Sequence, residues 1–150
     1  MNFLIRPDAE ALLAQDDYRR LWEFFTGMGA GPDGFGWLTE EIKSRYRAVW
    51  DQGLTGGCNF YRASPLRPPR EGDSLALTLE LPREMLTIAV PTLVLWGMQD
   101  TALPPELIDG LNDYIPQLTL RTVPEASHWI VHEQPKLVMD TLASFLLSKR

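Results

Sequence analysis

Pro91-Thr92-Leu93-Val94-Leu95-Trp96-Gly97-Met98-Gln99-Asp100 is the stretch that decides the fold of this 150-residue chain. The run from Thr92 to Trp96 is almost wholly apolar and follows a proline. Such a run is typical of a strand that is buried on both faces of a parallel sheet. We therefore predict a strand here, with Asp100 just beyond its C-terminal end.

Alternating elements follow this strand. Pro105 opens a predicted helix, and residues 118–123 alternate in polarity as a second strand does. Pro135 opens a final helix, whose broad apolar stripe consists of Leu137, Val138, Leu142, Phe145 and Leu146. Strand, helix, strand, helix is the pattern of a parallel sheet with right-handed crossovers, so the predicted fold class is α/β.

The sequence changes character near Pro82, and we divide the chain into a helical region, residues 1–84, and a core region, residues 85–150. In the helical region, Asp16 and Thr39 are each predicted to cap a helix. A glycine, Gly53, stands where the left-handed residue after the second helix is expected.

Two further elements are predicted in the helical region. Residues 57–63 are expected to form a short helix that includes Cys58. Leucines alternate with polar residues over 75–81, which suits a strand, although a strand between a proline-rich connector and Pro82 would lack a partner.

Composition and charge argue against several classes of partner. The formal net charge is −6 and the chain has no Lys/Arg run, which disfavours a nucleic-acid partner. The single cysteine cannot form an internal disulfide. The N-terminus does not resemble a signal peptide, and the strongest apolar run is far shorter than the roughly 20 residues that span a bilayer. The sequence thus favours a cytoplasmic protein without a membrane partner.

Two titratable side chains follow consecutive strands of the predicted sheet. Asp100 follows the first strand, and His128 follows the second in Pro124-Glu125-Ala126-Ser127-His128-Trp129. The C-terminal edge of a parallel sheet is where catalytic groups gather. A carboxylate that accepts a hydrogen bond from one imidazole nitrogen allows the other nitrogen to act as a base. The pattern therefore predicts two members of a catalytic triad.

These residues and their neighbours also allow interpretations other than a triad. An aspartate before Pro104-Pro105 is by itself more often a turn former. His128 and His132 are spaced like two metal ligands on one helical turn, but the sequence has no H-E-x-x-H motif and no suitable third ligand, so we predict no metal and a solvated His132. Cys58, two residues after a glycine, remains a weak alternative nucleophile.

The motifs resemble those of a known superfamily. The stretch 91–100 looks like the acid-bearing strand of α/β-hydrolases, and Ala126-Ser127-His128-Trp129 with Glu133-Gln134-Pro135 resembles their histidine loop and last helix. The aromatic first part looks like the helical cap of the epoxide hydrolase and haloalkane dehalogenase branch. Within it, Asn59-Phe60-Tyr61-Arg62-Ala63 is similar to the epoxide hydrolase cap motif.

The resemblance implies roles for three residues. Asp100 would orient His128, His128 would activate the water that hydrolyses a covalent ester, and Tyr61 would hydrogen-bond the epoxide oxygen. Families of this kind use a second cap tyrosine, which would lie near the start of this chain, where the residues are Asn2 and Phe3. Simple packing in the cap is the alternative role of Tyr61.

The chain also departs from the superfamily pattern. The order on this fold is nucleophile, acid, histidine, with the nucleophile on a turn such as G-x-S-x-G. None of the six serines stands in such a turn. We therefore expect the C-terminal part of an α/β-hydrolase sheet with its helical cap, without the N-terminal strands and the nucleophile elbow.

The most favoured function is thus that of a fragment whose parent activity is epoxide hydrolysis to a diol, without a cofactor. Ester or carbon–halogen hydrolysis is the alternative within enzymes. An inactive truncated fragment, or one half of a split enzyme completed by an N-terminal chain, is the alternative of another class. The expected partner of the complete enzyme is a small hydrophobic epoxide or ester, and self-association is expected of the isolated chain.

Overall fold

The computed structural model describes residues 2–30, 36–64, 78 and 80–148, in which helices precede a pair of parallel strands. The chain divides into two compact units. The first comprises Met1–Phe24 and Thr39–Glu80, and the second comprises Phe25–Leu38 and Leu81–Arg150. The segment Phe25–Leu38 therefore groups with the strands, although it lies within the region that we predicted as the cap.

Helices build the first unit. They are α1 (Ala9–Leu13), the part of α2 (Gln15–Gly27) up to Phe24, α3 (Glu40–Trp50) and α4 (Thr55–Ala63). Ala9 and Leu13 from α1 and Cys58 from α4 form a small buried core. Four partly buried side chains pack against this core, namely Phe3, Leu4, Leu21 and Leu54.

The start of α2 differs from the prediction. Asp16, Asp17 and Tyr18 all have positive φ values between 52° and 61°, so Asp16 does not adopt the extended conformation of a helix cap. Its carboxylate instead accepts hydrogen bonds from the guanidinium of Arg19. The predicted cap is therefore wrong, because the left-handed backbone at Asp16 does not aim its side chain at the first turn of the helix.

The prediction for α3 is confirmed. The Thr39 hydroxyl oxygen accepts a hydrogen bond from the Ile42 amide, and Glu40 and Glu41 occupy the first turn. Gly53 follows the helix with φ at +123°, a value that favours glycine. The next helix, α4, begins two residues before its predicted start and ends at Ala63 as predicted.

The predicted strand over 75–81 is not observed where it can be checked. Residues 75–77 and 79 lie outside the described residues. Thr78 is helical, and Glu80 and Leu81 belong to no strand. This fits the absence of a partner for such a strand in the sequence pattern.

The second unit contains the sheet. Its elements are α5 (Arg83–Leu86), β1 (Thr92–Gly97), β2 (Leu118–Val123), α6 (Ile130–Glu133) and α7 (Pro135–Leu147). The two strands are parallel, and their register runs from Thr92 opposite Leu118 to Gly97 opposite Val123. Both strands and the helix that starts at Pro135 are confirmed.

Two details of the second unit correct the sequence analysis. Pro105 opens two short 3-10 helices, Pro105–Ile108 and Leu111–Asp113, instead of one α-helix, because Gly110 between them has φ at +74°. Residues 92–96 are half-buried, not fully buried. The sheet of the described residues has two strands, which leaves one edge of β1 without a neighbour. No helix within the described ranges is long and apolar enough to cross a membrane.

Candidate active site

Asp100 lies in the turn that follows β1. The Met98 amide donates to Val123 O at 3.0 Å, and the Gln99 amide donates to Ala126 O at 2.9 Å, so this turn continues the contact between the two strands. The Asp100 carboxylate is buried. Its Oδ1 accepts from the Ala102 and Leu103 amides at 2.9 and 2.8 Å. The aspartate therefore does form a local turn, but with one oxygen only.

The second carboxylate oxygen of Asp100 faces His128. Nδ1 of His128 lies 2.9 Å from Oδ2 of Asp100. An ionised carboxylate only accepts hydrogen bonds, so this distance fits the tautomer with its proton on Nδ1, in which Nε2 carries a lone pair. Nε2 has no hydrogen-bond partner among the described residues, and 29% of the His128 side chain is exposed. An imidazole held in this way by a carboxylate can act as a base through its other nitrogen.

A close backbone approach holds the two residues together. A side-chain carbon built at Gly97 would lie 2.5 Å from the carbonyl oxygen of Ala126, and the carbonyl oxygen of Ser127 would be closer still. Only glycine lets the histidine loop pass this near to the end of β1. The sequence signal was the glycine that ends the apolar run, to which the sequence analysis gave no role.

Hydrogen bonds to Glu133 also fix the histidine loop. The Glu133 carboxylate accepts hydrogen bonds from the amide and the hydroxyl of Ser127, the residue before His128. Both Ser127 and Glu133 are buried. In the sequence, Glu133 stands in Glu133-Gln134-Pro135, and no pattern there predicts its contact with Ser127.

Aromatic rings surround the other side of the loop. The ring of Trp129 lies edge-on to His128 at 5.4 Å and contacts Phe25 at 4.4 Å, while its Nε1 donates to Phe25 O. Trp37 stacks on His132 at 4.1 Å, with the ring planes 8° apart. His132 is exposed, as predicted, but it belongs to α6 and not to a loop. No group of three metal-ligating side chains occurs in the described part of the chain.

Tyr61, the third predicted site residue, lies on α4 in the first unit and contacts Phe60 edge-on at 5.6 Å. The neighbouring Arg62 forms a two-pronged ion pair with Glu10 on α1 and also donates to Arg6 O at 2.7 Å. The hydrogen bonds from Arg62 to the Glu10 carboxylate lower the pKa of Glu10 to about 2. The pair ties the helix of Tyr61 to α1.

Cys58 has the wrong environment for a nucleophile. Burial, and to a lesser extent the nearby Glu10 carboxylate, raise the pKa of its thiol. The thiolate is the reactive form, and reactive cysteines occur where the pKa is lowered. Cys58 is a core residue of the first unit.

Comparisons with known proteins agree on one family. The model of the alpha/beta hydrolase fold matches residues 11–135. The AB hydrolase superfamily protein YfhM of Bacillus subtilis is 37% identical over 143 residues, which is 93% of this chain and 44% of that protein. Epoxide hydrolase 4 of Mus musculus is 29% identical over 149 residues, covering 96% of this chain and 38% of the mouse protein.

A solved structure agrees with these matches. The crystal structure of the Bacillus megaterium epoxide hydrolase with an inhibitor has a TM-score of 0.78 and 25% identity. The similarity covers 97% of this chain and 49% of that enzyme. This chain thus spans less than half the length of each of the relatives described here.

Proposed function

This chain belongs to the α/β-hydrolase fold family, and on that premise we propose that it serves the hydrolysis of an epoxide to a diol. The observation that carries the proposal is the 2.9 Å hydrogen bond between His128 Nδ1 and Asp100 Oδ2. Several relatives are named epoxide hydrolases, which favours an epoxide as the substrate.

In the proposed reaction, a carboxylate oxygen attacks an epoxide carbon, the ring C–O bond breaks, and the freed oxygen takes a proton from Tyr61 as the ester forms. His128 Nε2 then removes a proton from water, and the hydroxide attacks the ester carbonyl. The ester C–O bond breaks, the diol leaves with the proton of the new carboxylic acid, and the imidazolium proton restores Tyr61. Asp100 stabilises the imidazolium that the deprotonation of water creates, because its buried carboxylate already accepts a hydrogen bond from Nδ1. The two backbone amides on Oδ1 keep the carboxylate from rotating away.

Tyr61 is proposed to donate a hydrogen bond to the epoxide oxygen as the C–O bond breaks. Such a donor lowers the barrier most where the charge develops in a dry site. The ion pair between Arg62 and Glu10 supports this role, because it restrains the helix that carries the tyrosine.

The nucleophile is proposed to come from the part of the relatives that this chain does not match. On this fold the nucleophile precedes the acid and the histidine in sequence.

A complementation experiment tests this proposal. The portion of the Bacillus subtilis relative outside the 143 matched residues is produced together with this chain, and the mixture is assayed with an epoxide, an ester and a haloalkane. Epoxide turnover that falls by about 10⁴-fold in Asp100→Asn is the expected result, since the amide cannot stabilise an imidazolium as a carboxylate does.

Matched controls separate the candidate reactions. Asp109→Asn makes the same change at an exposed aspartate later in the sequence and should leave turnover unchanged. Tyr61→Phe should slow epoxide opening while affecting ester hydrolysis less. Equal activity of Asp100→Asn and the unmutated chain removes Asp100 from the reaction, and turnover of the ester or haloalkane alone assigns the alternative chemistry.

A further inference from the structure

We propose that Glu133 is a positioning residue for His128. The buried carboxylate of Glu133 holds the histidine loop so that Nδ1 of His128 stays hydrogen-bonded to Asp100. The inference rests on the proposed role of His128 as a base. It assigns a purpose to a buried acidic group that the reaction itself does not use. Glu133 lies five residues after His128, at the C-terminal end of α6.

The hydrogen bonds of Glu133 reach both sides of His128. Oε2 accepts from the Ser127 amide at 2.7 Å, and Oε1 accepts from the Ser127 hydroxyl. The same hydroxyl oxygen accepts from the Trp129 amide at 3.3 Å. The amides before and after His128 therefore both end on one carboxylate, the first directly and the second through a single hydroxyl group.

The amide and the hydroxyl of Ser127 both donate, so the side chain that faces them has to accept two hydrogen bonds. Ser127 donates its hydroxyl hydrogen to Glu133, which leaves the lone pairs of the oxygen for the Trp129 amide. A glutamine in this place would offer one acceptor oxygen and an NH2 group. Its NH2 group would face either the amide or the hydroxyl of Ser127, and one donor would lose its partner.

The charge of Glu133 is not explained by local stability. Its side chain is buried, and no cationic side chain in the described part of the chain forms an ion pair with it. A buried carboxylate that accepts hydrogen bonds but has no cation beside it still carries a desolvation cost. Positions that break such local rules are expected at functional sites.

The loop that Glu133 holds is the one that meets the acid. Ala126 O accepts the Gln99 amide at 2.9 Å, in the turn that leads to Asp100. On the other side Gly29 lies close to the loop, since a side-chain carbon at Gly29 would lie 2.5 Å from the Ser127 hydroxyl oxygen. Glu133 therefore restrains a loop segment that already contacts the turn of Asp100 through Ala126.

Nitrogen NMR of the imidazole rings tests this inference on the intact chain. The chain has two histidines, and a spectrum of His128→Gln identifies the signals of His128. The unmutated chain should show His128 protonated on Nδ1 with a low-field proton resonance. In Glu133→Gln and in Ser127→Ala this resonance should be lost, as the ring exchanges between its two tautomers. The exposed Glu125→Gln should keep it.

A stability variant separates positioning from simple structural support. Ile115→Val, a change in a buried residue far from the loop in sequence, should lower stability and leave the His128 resonance intact. The inference is overturned if folded Glu133→Gln and Ser127→Ala keep the resonance of the unmutated chain. If Glu133→Gln does not fold, the Ser127→Ala spectrum alone decides by the same criterion.

Activity in the complemented enzyme gives a second readout. Glu133→Gln should reduce kcat by about 100-fold and change KM by less than about threefold, because a misplaced base slows chemistry without changing substrate contacts. Full activity of His128→Ala would contradict the proposed function, whatever the NMR spectra show. If His128 is essential but Glu133→Gln has a normal kcat, only the positioning role of Glu133 is contradicted.

Discussion

Gly97 and Ala126 meet backbone to backbone, since a side-chain carbon at Gly97 would lie 2.5 Å from the Ala126 carbonyl oxygen. Gly97 ends β1 and Ala126 opens the histidine loop. The contact brings the turn of Asp100 and the loop of His128 to hydrogen-bonding distance. The geometry of the candidate site is thus set by a glycine that carries no chemistry.

Gly97→Ala should destabilise the chain by about 3 kcal/mol, because two backbone carbonyl groups would have to move to admit one methyl group. Gly27→Ala is the matched control. A side-chain carbon there has no neighbour within 4 Å, and alanine favours helices. Urea unfolding of both variants provides the measurement. Equal stability of Gly97→Ala and the unmutated chain would show that the loop can retreat without cost.

The strands and the pairing of Asp100 with His128 could be predicted because both follow from local patterns. An apolar run predicts a strand, and parallel strands end at one edge. The roles of Gly97 and Glu133 could not be predicted, because each depends on how closely two backbone segments approach. That distance is a property of the packed chain and leaves no periodic signal in the sequence.

The errors have physical causes of the same kind. Asp16 was predicted to cap a helix, but its backbone has a positive φ. Pro105 was predicted to open one helix, but Asp109 is extended and Gly110 has a positive φ, so the first turn ends at Ile108. In each case one side chain or one dihedral angle outweighed a propensity that is weak by itself.

The ion pair between Glu10 and Arg62 should make the stability of the first unit depend on pH. The pKa of Glu10 is lowered from 4.5 to about 2 by the hydrogen bonds from Arg62. A lowered pKa in the folded state means that the pair stabilises above about pH 4.5 and is lost as the pH falls toward 2. The unfolding free energies of the unmutated chain and of Glu10→Gln should therefore differ at pH 6 and converge only as the pH falls to about 2.

Glu41→Gln provides the comparison for this prediction. Glu41 pairs with Arg45 on the exposed face of α3, one turn away. Such surface pairs contribute little. At each pH from 2 to 7, the unfolding midpoint of Glu41→Gln should therefore stay close to that of the unmutated chain. A difference between the chain and Glu10→Gln that stays constant across this range would show that the glutamate acts by packing and not by charge.

The chain alone should show no turnover of epoxides, esters or haloalkanes above background. None of its serines stands on a paired-glycine turn, and Cys58 is buried with a raised pKa. Loss of the nucleophile in a complete hydrolase lowers kcat by about a million-fold. Purified chain and His128→Ala should give the same background rate. Clear turnover that His128→Ala abolishes would establish a nucleophile within these 150 residues.

The isolated chain should self-associate and bind hydrophobic dyes. In the described residues one edge of β1 has no neighbouring strand, and open strand edges pair with other chains. Three apolar side chains of α7 are more than half exposed, namely Met139, Leu146 and Leu147. At about 25 cal/mol per Å2, a few hundred Å2 of exposed apolar surface amounts to several kcal/mol. This is comparable with the roughly 5–15 kcal/mol that stabilises a typical domain.

Sedimentation, dye fluorescence and thermal unfolding measure this behaviour. Replacing both Met139 and Leu146 with glutamate should reduce dye binding and shift the chain toward the monomer, because it places charges on the exposed face of α7. Ser144→Glu adds a charge to the same helix without removing apolar surface, so it should have a smaller effect. A monomer that binds no dye and unfolds in one sharp transition would contradict the prediction. It would mean that the 150 residues cover the sheet edge and the helix face with their own side chains.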